Sequence, residues 1–370
     1  MKTPAALPLR VVNWCADTIA DPVHRLRFLQ VAARLPDPKP ARKYRSHLFA
    51  ALVVVLLIAP GWILVHRAAR VAPAPAPDQP AAQPPPSPHA ELVSAVWPVE
   101  KSGGSETFSN GLRIDNHYST TTSPRSYTAF RASEPQDLDG VHRSEPAGIV
   151  YHTTESRQAP FDPEQNGVLK MIGESTLEYV RRTAAYNFVI DRFGRVYRIV
   201  PEDQVANHAG HSVWSDEQWV YLDLNPSFLG VSFEAETSAA QLRAAAMLTE
   251  MLRSRYAIRA EDCITHGQFS VNPSNMQVGY HTDWGSSFPF AELGLPDNYA
   301  RALPAVSLFG FEHDAGFLRA AGGRLAESVA LAEENIRRAA SASGVPVARY
   351  RKTLEERYWA KVAAMRRAAH

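Results

Sequence analysis

The stretch that most limits what this chain can become is LFAALVVVLLIAPGWILV, residues 48–65, which carries no charged side chain. About 20 apolar residues cross a bilayer core, so with its flanks this run is long enough for one membrane helix, placed at 47–66. Pro60 and Gly61 are costly in a soluble helix but better accepted in a membrane, and Trp62 and His66 suit the interface. A cleaved signal peptide is the rival reading. The run starts too far along the chain for that, and it exceeds the usual apolar region of such a signal. Arg34, Lys39, Arg42, Lys43 and Arg45 precede the run, whereas Arg67 and Arg70 follow it. The positive-inside bias therefore puts residues 1–46 in the cytoplasm and the long C-terminal part outside, which in a two-membrane bacterium is the periplasm.

This single span sets the organisation of everything after it. Residues 67–105 read as a linker containing VAPAPAPDQPAAQPPPSPH (71–89), a Pro/Ala stretch without apolar periodicity. In polyproline geometry it would reach roughly 60 Å, at about 3.1 Å per residue. Residues 106–300 read as one α/β domain and 301–370 as a C-terminal helical hairpin split at SASGVPV (341–347). A net charge of +1 gives no reason to expect a nucleic-acid partner. The two cysteines, Cys15 and Cys263, are far apart, which argues against a disulfide framework or a Cys-rich zinc module.

Within the α/β region, GIVYHTT (148–154) is expected to be a buried strand and TLEYVRRTAAY (176–186) a helix. NFVIDRFGRVYRIV reads as a hairpin turning at Arg192-Phe193-Gly194. FLGVSFEAE (228–236) is expected to be an alternating strand, AAQLRAAAMLTEMLRSRY (239–256) a strong helix and CITH (263–266) a short strand. His152 and His266 close two of these strands, and Asp283 lies in the loop VGYHTDWGSSFPF (278–290). Two imidazoles and a carboxylate are a common ligand set for catalytic zinc, leaving a position for water whose pKa the ion lowers to about 7. Each residue alone is more often structural, and their separation in sequence leaves the set open. Cys263 lies three before His266, but a strand would point the two side chains to opposite faces, so a Cys-x-x-His site is not expected.

The ordered series GIVYHTT, AAYNFVIDRFGRVYRIVPEDQVANHAGHS, SFLGVSFEAE, ITHGQFSVNP and YHTDWGSSFPF resembles the zinc-dependent N-acetylmuramoyl-L-alanine amidases. Their superfamily includes phage-type amidase lysozymes and peptidoglycan recognition proteins. The likeness spans roughly residues 147–293. It implies a central mixed β-sheet flanked by helices, a zinc ion held by His152, His266 and Asp283, and a peptidoglycan or muropeptide substrate. It gives His281 the slot of a basic residue that stabilises the oxyanion, since HTDWG stands where the family reads Lys-Thr-Asp-Pro-Gly. Tyr186 matches a residue that orients the attacking water, with Glu234 as second choice. A core aromatic and a plain salt bridge are the respective bland readings. His208, in NHAGHS, matches a groove-lining residue, and Trp284 is placed either against a sugar or, with slight preference, in the core.

The chain departs from the family in three ways: His281 for Lys, Trp284 for Pro, and 17 positions between His266 and Asp283 where relatives have fewer. The implied protein is a membrane-tethered periplasmic amidase that cleaves the bond between N-acetylmuramic acid and L-alanine. A non-catalytic peptidoglycan-binding module is the alternative, and a zinc hydrolase of some other amide is a third.

Overall fold

The computed structural model describes residues 94–368 apart from 157, 158, 236, 280 and 282. The expected cytoplasmic segment, membrane span and most of the stalk lie outside the described residues. Among the described residues, no helix is long and apolar enough to cross a membrane.

The main sheet is built from β1 (Pro98–Ser102), β2 (Ser105–Phe108), β3 (Arg113–Asp115), β4 (Gly148–Thr153), β5 (Phe188–Ile190), β6 (Val196–Arg198), β7 (Phe228–Phe233) and β8 (Cys263–Thr265). Their spatial order is β1-β2-β3-β6-β5-β7-β4-β8. The sheet therefore begins ahead of the expected domain boundary at 106. The central neighbours β5, β7, β4 and β8 run parallel, while β5 and β6 form an antiparallel hairpin. Mixed pairing and flanking helices agree with the fold the sequence implied.

All six residues of β7 are buried, which corrects the expected alternation. A central parallel strand is covered on both faces and need not alternate. The cover on one face is α2 (Ala239–Tyr256), whose Ala244, Leu248, Met251 and Leu252 pack on Ile149, Tyr151, Phe188, Val231 and Cys263. A capping box between Ser238 and Gln241 starts this helix, satisfying two of its free N–H groups. On the other face, α1 (Asn166–Thr183) lays Leu177 and Val180 on Val189 and Tyr197. It starts earlier than the sequence suggested and stops because Ala184 turns left-handed, at φ 49°. Tyr186 thus lies in the turn into β5. That strand's hairpin closes on Gly194, at φ +81°, with Asp191 Oδ1 accepting from the N–H groups of Phe193 and Arg195.

Beyond β8, Val271–Asn272 and Gln277–Val278 form a small antiparallel pair, which Glu312–His313 joins as a third, parallel strand. The C-terminal part is richer than a hairpin: α3 (Pro304–Phe309), α4 (Ala315–Ala321), α5 (Gly323–Ala342) and α6 (Val347–Ala368). Phe317, Leu325, Val329, Ile336, Leu354 and Tyr358 are buried in one continuous cluster with Phe288, Tyr299, Tyr151 and Val231. These helices share the core of the α/β domain.

Candidate metal centre

Strand register brings the first two candidate ligands together. Cys263, Ile264 and Thr265 pair in parallel with Ile149, Val150 and Tyr151, so the next residues along, His266 and His152, stand side by side at the carboxyl ends of β8 and β4. The crevice beyond the carboxyl ends of parallel strands is where α/β sheets usually place ligands. Asp283 reaches this point from its loop. His152 Nδ1 lies 3.1 Å from His266 Nδ1 and 3.3 Å from Asp283 Oδ2, and His266 Nδ1 lies 2.9 Å from Asp283 Oδ1. The three residues are the group of potential ligands found within 4.8 Å of one another among the described residues.

Hydrogen bonding behind the site fixes which nitrogen of His152 is free. The Phe228 carbonyl can only accept, so His208 Nε2, 3.3 Å away, carries a proton. Burial and the neighbouring His152 ring lower the His208 pKa well below 6.5, so the ring is neutral and its Nδ1 accepts. His152 Nε2, 3.1 Å from that atom, must donate. Burial also pushes His152 down to about 4, and a neutral ring that donates through Nε2 keeps a bare lone pair on Nδ1. That lone pair faces the carboxylate.

Burial alone would raise the Asp283 pKa, but the imidazoles of His266 and His152 hold it well below the usual carboxylate range. Asp283 Oδ1 is buried without a hydrogen bond although His266 Nδ1 is close, because the contact lacks the alignment an N–H donor needs. The bare His152 Nδ1 and the two Asp283 oxygens thus crowd around His266 Nδ1, an arrangement that a cation would bridge. Their spacing also fits one, since bonds of about 2 Å to a tetrahedral zinc put ligand atoms ~3.3 Å apart. The residues present therefore fit a zinc ion.

The structure also places the other expected site residues. His281 stacks on His266 with ring centroids 4.0 Å apart, and Phe269 covers the opposite side at 5.1 Å. Tyr186 lies 5.2 Å from the His152 ring and donates its hydroxyl to the Thr153 carbonyl. Burial, with the Asp283 carboxylate adding to it, raises its phenol well above 10, so the proton stays on. His208 is corrected in place: it is buried behind His152, 7 % exposed, rather than lining an open groove.

Glu234 is likewise displaced from the ligands. Strand β7 ends at Phe233 and Ala235 turns to φ 61°, so the carboxylate accepts from the Arg192 N–H and borders a cavity of about 480 Å³ beneath α1. Trp284 is half-buried and packs against the core, edge-on to Phe233 and Phe288, each 5.3 Å away. Cys263 is buried and its Sγ faces the Arg259 carbonyl, away from the ligands.

Three supporting residues had no sequence signal. Asn225 Oδ1 accepts from the N–H groups of both His208 and Ala209. Arg125 donates to the carbonyls of Glu202, Gln204, Pro226 and Phe228, the last being the one that orients His208. Gly230 leaves room for the His208 ring, which a Cβ there would meet at 2.7 Å.

Residues 142–286 match the family model of N-acetylmuramoyl-L-alanine amidase. No curated protein sequence matches the chain. Among solved structures, the amidase LysC from Clostridium intestinale is similar over 47% of this chain and 93% of its own, at 20% identity and a TM-score of 0.26. The amidase AmiD from E. coli, in complex with the substrate anhydro-N-acetylmuramic acid-L-Ala-D-gamma-Glu-L-Lys, covers 52% of this chain and 66% of its own, at 18% identity and a TM-score of 0.31. AmpDh3 from Pseudomonas aeruginosa covers 40% and 60% respectively, at 18% identity and a TM-score of 0.31.

Proposed function

Given that residues 142–286 match the family model of N-acetylmuramoyl-L-alanine amidase, we propose that this protein is a zinc-dependent amidase hydrolysing the bond between N-acetylmuramic acid and L-alanine in peptidoglycan or muropeptides. The observation that carries the reading is the convergence of His152 Nδ1, His266 Nδ1 and the Asp283 carboxylate. These three side chains would hold the ion. Zinc bound there would supply a Lewis acid and lower the pKa of its water to about 7.

The other residues act around that centre. Tyr186 keeps its phenolic proton and stands beside the His152 ring, where its hydroxyl oxygen is suited to orienting the attacking water; Glu234, turned toward Arg192, is less well placed. His281 stands over His266, where a donated hydrogen bond would stabilise the oxyanion developing on the scissile carbonyl. Phe269 and His281 sandwich the His266 ring and hold its orientation.

The uncharged run 48–65 and the Pro-rich stretch after it support a tether in the inner membrane with the catalytic domain held in the periplasm, within reach of the wall. The test is incubation of the full chain with purified sacculi, with and without a chelator. Release of peptides bearing a free L-alanine amino group, abolished by chelator and restored by zinc, is the expected result. Binding of muropeptides without turnover in zinc-replete protein would instead mean a recognition module.

A further inference from the structure

We propose that the C-terminal helices position the third metal ligand: α4 and the first turn of α5 grip the loop that carries His281 and Asp283, holding it at Gly279, Gly285 and Ser286. The inference rests on the metal-site reading above and concerns how this chain holds that site.

Three separate contacts make the grip, and a strand pairing flanks it. The ring of Phe317 on α4 occupies the space beside Gly279, where a Cβ would lie 2.3 Å from it, and Gly279 has φ +90°. Gly285, at φ +39°, is pressed against α4 so closely that a Cβ would sit 2.6 Å from the Ala321 carbonyl oxygen. Ser286 Oγ accepts the Leu325 N–H at 2.9 Å. That amide belongs to the first turn of α5, whose own cap residue is Gly322, without a side chain. A residue of the ligand loop thus performs the capping that a helix otherwise obtains locally. Finally, Glu312–His313 pairs with Gln277–Val278 at the loop's entrance. Leu325 abuts the other ligand segment too, since a Cβ on Gly267, next to His266, would lie 3.6 Å from its Cδ2.

The loop itself explains the need. Seventeen positions separate His266 from Asp283, and a long loop costs more to order. Trp284, next to the ligand, sits at φ 63°, a conformation costing about 1 kcal/mol for a residue with a Cβ. Such a loop needs an outside hold, and α4 and α5 supply it. Ser286 and Phe317 are positioning residues in this scheme and touch neither ion nor substrate.

Zinc affinity, read by competition with a chromophoric chelator, tests the inference in the full chain. Phe317→Ala and Ser286→Ala are expected to weaken zinc binding ~10–100-fold, the size usual for groups that orient ligands, while Phe317→Leu and Ser286→Thr recover most of it. Leu354→Ala, a core truncation on α6 remote from the loop, is the control: it lowers the melting temperature and leaves zinc affinity at the wild-type value. Wild-type affinity in folded Ser286→Ala and Phe317→Ala, or equal weakening in the control, overturns the proposed grip and leaves the amidase reading intact. A wild-type chain that binds no zinc overturns the metal-site reading itself, and the grip with it.

Discussion

At the scale of single residues, the site is organised by a proton count. The Phe228 carbonyl, His208 and His152 form a line in which each member dictates the tautomer of the next, ending in a lone pair on His152 Nδ1. Ligating histidines commonly donate their second nitrogen to such a partner, which fixes the ring and raises its basicity. Removing the acceptor should therefore loosen the metal even though no ligand is changed. His208→Ala is expected to reduce zinc affinity ~10–100-fold, whereas His208→Gln, which can still offer an oxygen, should lose less. Retention of wild-type metal affinity by His208→Ala after dialysis would show that His152 is oriented by something else. The identity of His152, His266 and Asp283 was legible in the sequence through the family resemblance. The place of His208 was not, because its partner oxygen belongs to the backbone of a strand 20 residues away.

At the scale of elements, sequence reading did well wherever one local signal decides the outcome. The helix expected at 239–256 is the helix observed, since its capping box and its apolar spacing agree. Glu234 shows where a local rule stops working: period-two logic puts it on the face of Ser232, but the strand ends one residue earlier and the carboxylate finds the Arg192 N–H. The short turn Leu224–Ser227 was not legible either, although it carries Asn225 and so holds the His208 backbone. Asp223 caps that turn, accepting from the Asn225 N–H, and burial pushes its carboxyl up to about 6, with the Asn225 N–H opposing. A pKa raised above its unfolded value means that the folded state holds its proton more tightly. The corresponding stability is complete below about pH 4 and is lost as pH rises through 6. Asp223→Asn keeps the accepting oxygen and never ionises. The variant should match the wild type near pH 4 and exceed it by about 3 kcal/mol at pH 8, measured as the difference in urea unfolding. A gain confined to acid pH would reverse the sign and sink the account.

At the scale of the whole molecule, the unit that folds is larger than the unit that resembles a family. The family match ends at residue 286, yet Phe317, Leu325, Val329, Ile336, Leu354 and Tyr358 are buried in the same cluster as Tyr151, Val231 and Phe288. The sequence predicts a helical hairpin over residues 301–370, and its helices prove to carry apolar stripes. It could not show what those stripes cover, because an apolar face specifies burial and not a partner. Burying a side chain of this size contributes ~1.5–3 kcal/mol, so the six together are worth on the order of 10 kcal/mol, comparable to the ~5–15 kcal/mol that holds a typical domain folded. A chain ending at residue 300 would expose this surface, including the Tyr151–Phe288 stack at 4.5 Å. It is therefore expected to aggregate, or to lose its cooperative thermal transition and its near-ultraviolet circular dichroism, when compared with the full chain under identical solution conditions. Co-expression of residues 301–370 as a separate piece should restore part of the transition, since the contacts are non-covalent. If the shortened chain instead melts cooperatively within a few degrees of the intact protein, the C-terminal helices are an accessory, and the core they share with the sheet contributes little to stability.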